Sequence, residues 1–233
     1  MHLFILGGTG QSGGFAYKYA LEQGYHVTLL VRKVIEHKHA NLTMVEGSVL
    51  SQEDMDRAFA AAGIPVDSAL QFLNVPRESA KPWSKFIGPP RLLADATANA
   101  ARALRGQQRR APLPSGRKPV LVAMNALGAG DSIAVTPFIT KIFINHSSLG
   151  KTYEEHSAVL AELEDDCGKD VDWTAALAVG LSSAGAKPVK TFSMTERGAS
   201  MMITRESCAT WMVNVAAGRI GERFSRQAVI VSN

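Results

Sequence analysis

MHLFILGGTGQSGGFAYKYALEQGYHVTLLVR, residues 1–32, sets an apolar run at Leu3–Leu6 directly before five glycines in the eight positions Gly7–Gly14. From Gln11 to Gly24, Phe15, Tyr19 and Leu21 recur at roughly helical spacing, with Gly24 as the helix stop. A second apolar run, His26–Val31, follows, so the stretch reads as strand, helix and parallel strand, a unit of about thirty residues. Side chains in the first turn of such a unit would block an anion from the backbone amides at the helix start. In this reading Gly7 permits the tight turn, Gly10 the close contact with a pyrophosphate and Gly13 the close packing of helix on sheet. Thr9, Gln11 and Ser12 complete the cofactor-binding loop. The spacing is G-x-x-G-x-x-G rather than G-x-G-x-x-G, and a glycine turn with a structural role alone is the competing reading.

The end of the second run chooses between dinucleotides. An NAD site places Asp or Glu there for the ribose hydroxyls, whereas this chain runs Leu30-Val31-Arg32-Lys33 and reaches a carboxylate only at Glu36. A guanidinium at Arg32 suits a 2′-phosphate, which it clasps through two parallel hydrogen bonds, and Lys33 adds charge. The expected cofactor is therefore NADP(H). The alternative is a pair of solvated cations at a strand end.

Outward from this unit the alternation continues. Leu42–Val45, Ser68–Leu73, Pro119–Met124, Val171–Val179 and Ala228–Val231 read as further strands. Helices are expected over Ser51–Ala62, capped by Ser51 with Asp54 three residues on, and over Pro90–Arg105, Tyr153–Cys167 and Thr204–Ala217. Nearly all-apolar strands between helices predict an α/β fold, a doubly wound parallel sheet covered on both faces. A single domain over residues 1–233 is expected, with 181–204 as a small substrate-side extension. Gly128–Lys151 carries Pro137, Phe138, Ile142, Phe143 and Ile144 at roughly helical spacing, which suggests a short helix over a cleft, core packing or a subunit contact. The loop Pro76–Pro90, with Arg77, Lys81, Trp83, Lys85 and Phe86, is a second candidate lid or a solvated loop.

Composition narrows the partners. The chain has 233 residues, 46% of them hydrophobic, and a net charge of +4. The glycines are reached after six residues and no apolar run is of membrane-spanning length, so a soluble, cytoplasmic protein is expected, without signal peptide or membrane partner. The basic stretch Arg102–Lys118 reads as a helix end entering a solvated loop, and no recognition motif accompanies it, so nucleic acid is not an expected partner. Cys167 and Cys208 lie far apart and read as reduced thiols, and His37 and His39 lack supporting ligands, so no metal is expected. A monomer or homodimer acting on a small molecule remains.

GGTGQSG, LLVR, FLNVPR, MNALGAGDS, TYEEHSAVLAELEDDCGKDVDWT and MITRESCATWMVNVA carry a resemblance along nearly the whole chain. It resembles the atypical short-chain dehydrogenases/reductases with an NAD(P)H-binding, NmrA-like domain, among them biliverdin reductase B-type flavin reductases, and looks closest to fungal members. The resemblance implies that Asn74 and Val75, with Pro76, line the nicotinamide and ribose side of the cleft, and that Met124 and Asn125, with Ala126, lie near the reacting ring. It also implies that Tyr153 and His156 face the cleft from the next helix. Tyr153, His156 and Asn125 are the candidate catalytic residues.

Departures from that group bear on mechanism. A typical dehydrogenase of the wider superfamily uses a serine after strand five and Tyr-x-x-x-Lys on the next helix, where the lysine lowers the phenol pKa. Here Ser157 stands four residues past Tyr153, and Lys151 lies two before it. The acid often found after strand three is replaced by Ser48 in EGSVL, and strand six ends LAVGL without proline, leaving backbone at Val179–Leu181 for the carboxamide. Proton delivery falls to Tyr153, His156 or water, with His156 expected to titrate near neutrality. The competing reading packs the tyrosine on the sheet and satisfies the histidine with a carbonyl. Three functions follow: an NADPH-dependent reductase of an aromatic, quinone or conjugated carbonyl compound, which the resemblance sets in fungal specialised metabolism; a cyclase, isomerase or dehydratase on the same fold; or an NADP-sensing regulatory protein.

Overall fold

The computed structural model describes residues 1–233 except 77, 80–83, 139, 143–148 and 221–223. Its strands are β1 (His2–Leu6), β2 (His26–Val31), β3 (Leu42–Glu46), β4 (Ser68–Gln71), β5 (Val120–Ala126), β6 (Asp172–Ala178), β7 (Gly180–Ser182), β8 (Lys190–Ser193), β9 (Met202–Thr204) and β10 (Gln227–Ser232). Its helices are α1 (Gly13–Glu22), α2 (Gln52–Ala60), α3 (Leu92–Arg110), α4 (Leu149–Cys167) and α5 (Arg205–Ala216), with a 3₁₀ turn at Gly130–Ala134. The main sheet has the order β3-β2-β1-β4-β5-β6-β10-β8, parallel throughout except for β8, which runs antiparallel to β10. β7 and β9 form a separate parallel pair.

Alternation along the strands distributes the core to two faces. Leu3 and Ile5 of β1 pack with Ala16 and Ala20 of α1 and Cys208 and Met212 of α5. Phe4 and Leu6 point the other way, into Met55 of α2, Ala100 and Leu104 of α3 and Val159 and Leu163 of α4. The doubly wound parallel sheet expected from the sequence is thus present. Because β1 through β6 run the same way, the loops after β1, β2, β4, β5 and β6 all emerge on one edge.

Several boundaries differ from expectation. α3 starts at Leu92 rather than Pro90, because Arg91 adopts left-handed backbone at φ 58°, and it runs on to Arg110. Its last turns, expected as loop, are held by Arg102 and Arg105 on Asp166 and by Arg109 on Asp170, across to α4 and the turn after it. The segment 181–204 contains β8, a strand of the main sheet, and β9, neither of which was expected. Of the connection before α4, the 3₁₀ turn and helical residues at 138 and 140–142 are described, whereas Phe143 and Ile144 lie outside the described residues. Arg77, Lys81 and Trp83 of the second candidate lid also lie outside them. No helix among the described residues is long and apolar enough to cross a membrane.

Candidate functional site

The turn after β1 is built from backbone alone. Gly7 sits at φ 74°, and a Cβ there would lie 2.8 Å from the carbonyl of Phe72. A Cβ on Gly13 would lie 2.2 Å from the Gly7 carbonyl oxygen, so α1 begins in direct contact with the turn it follows. Gly10 donates to the Gly7 carbonyl and accepts from the Gly14 amide, both at 2.9 Å. Thr9, Gly10 and Gln11 are exposed, while Ser12, at the cap position, gives α1 no side-chain cap. Among the described residues the amides of Gln11, Ser12 and Gly13 have no protein acceptor. Free amides at a helix start, with no side chains over them, fit a pyrophosphate.

Arg32 emerges exposed at the end of β2, one strand away, with no ion pair among the described residues. The loop beyond it is tied to α1 by a hydrogen bond of 2.9 Å between Tyr17 Oη and His37 Nδ1. After β3, the carboxylate of Asp54 on α2 lies beside Ser48 and accepts from the Ser48 amide at 2.8 Å. That bond, with the one from Arg57, holds the Asp54 carboxyl below its ordinary range. Asp54 was read only as part of a helix start, and there Ser51 Oγ does accept from the Asp54 amide.

The third part of the edge lies at β4, β5 and β6. Asn74 is exposed and its Oδ1 accepts from the Val75 amide at 2.8 Å, while Val75 itself is buried. Met124 is half-buried. Asn125 is only 3% exposed; its Nδ2 donates to the His156 carbonyl at 2.9 Å and its Oδ1 accepts from the Ala126 amide. It joins β5 to α4 instead of pointing outward. A cavity of about 700 Å³ opens beside this junction, walled by Ala126, Leu127, Ala178, Val179, Tyr153, Phe138 and residues 196–202.

Of the two side chains expected to face the cleft from α4, Tyr153 lines it and His156 does not. The rings meet edge-on at 6.4 Å, with His156 buried behind. Burial pushes the His156 pKa down to about 4, which corrects the expectation of titration near neutrality. His156 Nδ1 and Thr152 Oγ1, one turn apart on α4, are buried without a partner among the described residues. Burial also raises the Tyr153 pKa. Ser157, in place of the lysine, accepts from the Gly130 amide at 3.1 Å.

A bare glycine turn after β1, a strand order that reverses beside it and a cleft at the carboxyl edge together define a Rossmann-type dinucleotide-binding protein. The chain belongs to the NAD(P)H-binding family, whose model matches residues 7–219. Its fold is similar to that of a wide-type short-chain dehydrogenase/reductase from Veillonella parvula in complex with NADP, at a TM-score of 0.72 and 14% identity, covering 100% of this chain and 94% of the other. It is also similar to an anaerobillin reductase from Escherichia coli O157:H7 (TM-score 0.66, 14% identity, 100% and 97% covered). A Rossmann-fold NAD(P)-binding protein from Shigella flexneri gives a TM-score of 0.64 at 16% identity, with 100% and 93% covered. No curated protein sequence matches this chain.

Proposed function

We propose that the protein is an NADPH-dependent reductase of an aromatic, quinone or conjugated carbonyl compound. The observation that carries the reading is the glycine turn, where Gly13 leaves no room for a methyl group and the amides of Gln11, Ser12 and Gly13 have no acceptor among the described residues. Those amides would hold the pyrophosphate and Arg32 the 2′-phosphate. Asn74, Val75 and Met124 would border the nicotinamide side, and Asn125, bonded to the His156 carbonyl, positions α4 on β5. The bound cofactor supplies hydride.

The chain's own groups select the acceptor. No lysine stands on the turn after Tyr153, and its phenol is made a weaker acid by burial. His156 is neutral at pH 7 and set behind it. Neither side chain is a strong acid for an isolated ketone, whose reduction builds a localised alkoxide. Quinones, flavins and conjugated carbonyls spread that charge over the ring system and take their proton from Tyr153 or water. The apolar part of the wall, with Ala126, Leu127, Ala178 and Val179 beside Tyr153, would seat a flat ring. The anaerobillin reductase among the similar folds shows that this fold can carry a reductase.

The test is loss of NADPH absorbance with a panel of quinones, flavins and isolated ketones. Oxidation with the conjugated acceptors at rates well above those with isolated ketones is expected. Product formation without cofactor oxidation would replace this reading with an isomerase or dehydratase, and tight NADP binding with no turnover would replace it with a sensor.

A further inference from the structure

The mouth of the cleft at β5 and β6 carries charge that the reductase reading does not use. Among the described residues, three side chains charged at neutral pH border it: Lys141, Glu196 and Arg197. Glu196 is folded back on its own turn, its amide donating to the Ser193 carbonyl at 3.1 Å and its Oε2 accepting from the Ser193 amide at 3.2 Å. Lys141 Nζ donates to the Ala134 carbonyl at 3.1 Å, and its other two N–H groups have no partner among the described residues. Arg197 is exposed and, among the described residues, has no carboxylate within ion-pair distance. Arg91, Arg102, Arg105 and Arg109, by contrast, are all paired to acids.

The cofactor does not account for this cation. Its phosphates belong at β1 and β2, and β2 lies three strand spacings from β5, about 14 Å at roughly 4.8 Å each. Inside the mouth the lining turns apolar, with small side chains at Ala126 and Ala178 leaving a slot against Tyr153.

We propose that this cleft selects an aromatic acid: a flat conjugated ring system seated in the slot, with a carboxylate or sulfonate at its edge held by the Arg197 guanidinium and the Lys141 ammonium. This names the substrate class of the reductase proposed above and rests on that reading for its chemistry. The planar fork of Arg197 matches an oxyanion through two hydrogen bonds, and Lys141 contributes a point charge.

Fluorescence titration compares 1-anilinonaphthalene-8-sulfonate with N-phenyl-1-naphthylamine, the same rings without the anion, on the NADP-saturated protein. The sulfonate is expected to bind roughly 10-fold more tightly than the neutral amine, a preference that falls to roughly 2-fold or less in Arg197→Ala and partly returns in Arg197→Lys. The neutral amine is expected to bind all three proteins alike. Equal affinities in the unaltered protein, or a preference that survives both Arg197→Ala and Lys141→Ala, would overturn the proposal. So would a loss of NADPH affinity in Arg197→Ala, which would place the guanidinium on the cofactor. Failure of the unaltered protein to bind NADP at all would sink the reductase reading instead, and the same probe comparison on the protein alone would still decide the question of the acid.

Discussion

Gly13 is the residue on which the turn after β1 depends. A methyl group there would meet the Gly7 carbonyl oxygen at 2.2 Å, and backbone on both sides leaves nothing flexible to give way. Gly13→Ala is expected to lower stability by about 1–3 kcal/mol and to weaken NADPH binding at least roughly 10-fold. Gly185→Ala, where an added Cβ meets nothing within 4 Å, is the control expected to change neither. Urea unfolding and a binding titration on the two variants check this, and equal behaviour would contradict it. His156 makes a second prediction. It stays neutral in the folded chain down to about pH 4 but takes a proton near its ordinary value of 6.5 when unfolded, so the unfolded state binds more protons between those values. Stability should therefore fall as pH drops from 6.5 to 4, with His156 contributing about 2 kcal/mol of the loss by pH 5. His2, also buried and shifted down by desolvation, adds to the same slope. His156→Leu should flatten the profile in part; an unchanged slope would contradict the burial argument. Arg32 was legible because a strand end names its own position, whereas a histidine three residues past a tyrosine has one pattern whether it faces a cleft or a sheet.

At the scale of elements, α3 and α4 are joined at the point where the site is assembled. Arg91 leaves α3 without a cap of its own, and the carboxylate of Glu155 on α4 accepts from the amides of both Arg91 and Leu93. Arg91 in turn pairs with Glu162 and Asp95. The same clamp fixes the end of the loop that begins at Asn74 against the helix that carries Tyr153. Glu155→Ala leaves two amides without their acceptor and should destabilise the protein by about 2 kcal/mol. Denaturant midpoints measure it, and a change under about 0.5 kcal/mol would contradict the clamp. This contact also explains why the start of α3 was misplaced: its cap comes from a residue 64 positions away, beyond any local signal. Elements whose ends are set locally fared better. Ser51 caps α2 and Thr204 caps α5 through the amide three residues on, as their sequences suggest. β8 and β9 escaped notice because their pairing is with distant strands, β8 being mostly polar and exposed or half-exposed and β9 only three residues long.

At the scale of the molecule, the strand order reverses between β1 and β4, and everything assigned to cofactor and substrate lies along the edge where that reversal opens. Apolar strands spaced by helices were enough to read that architecture, since burial on both faces leaves a parallel sheet few other patterns. The cleft wall from 196–202 was legible only as a region, because which side chains surround a cavity follows from how separate segments meet. The account rests on the glycine turn and Arg32 binding one dinucleotide in preference to the other. Calorimetric titration of NADPH and NADH into the protein and its Arg32→Ala variant tests it most directly. The account predicts that the unaltered protein binds NADPH at least roughly 10-fold more tightly than NADH, and that the variant loses the difference by weakening NADPH alone. Binding of neither dinucleotide, or equal weakening of both in the variant, would contradict it.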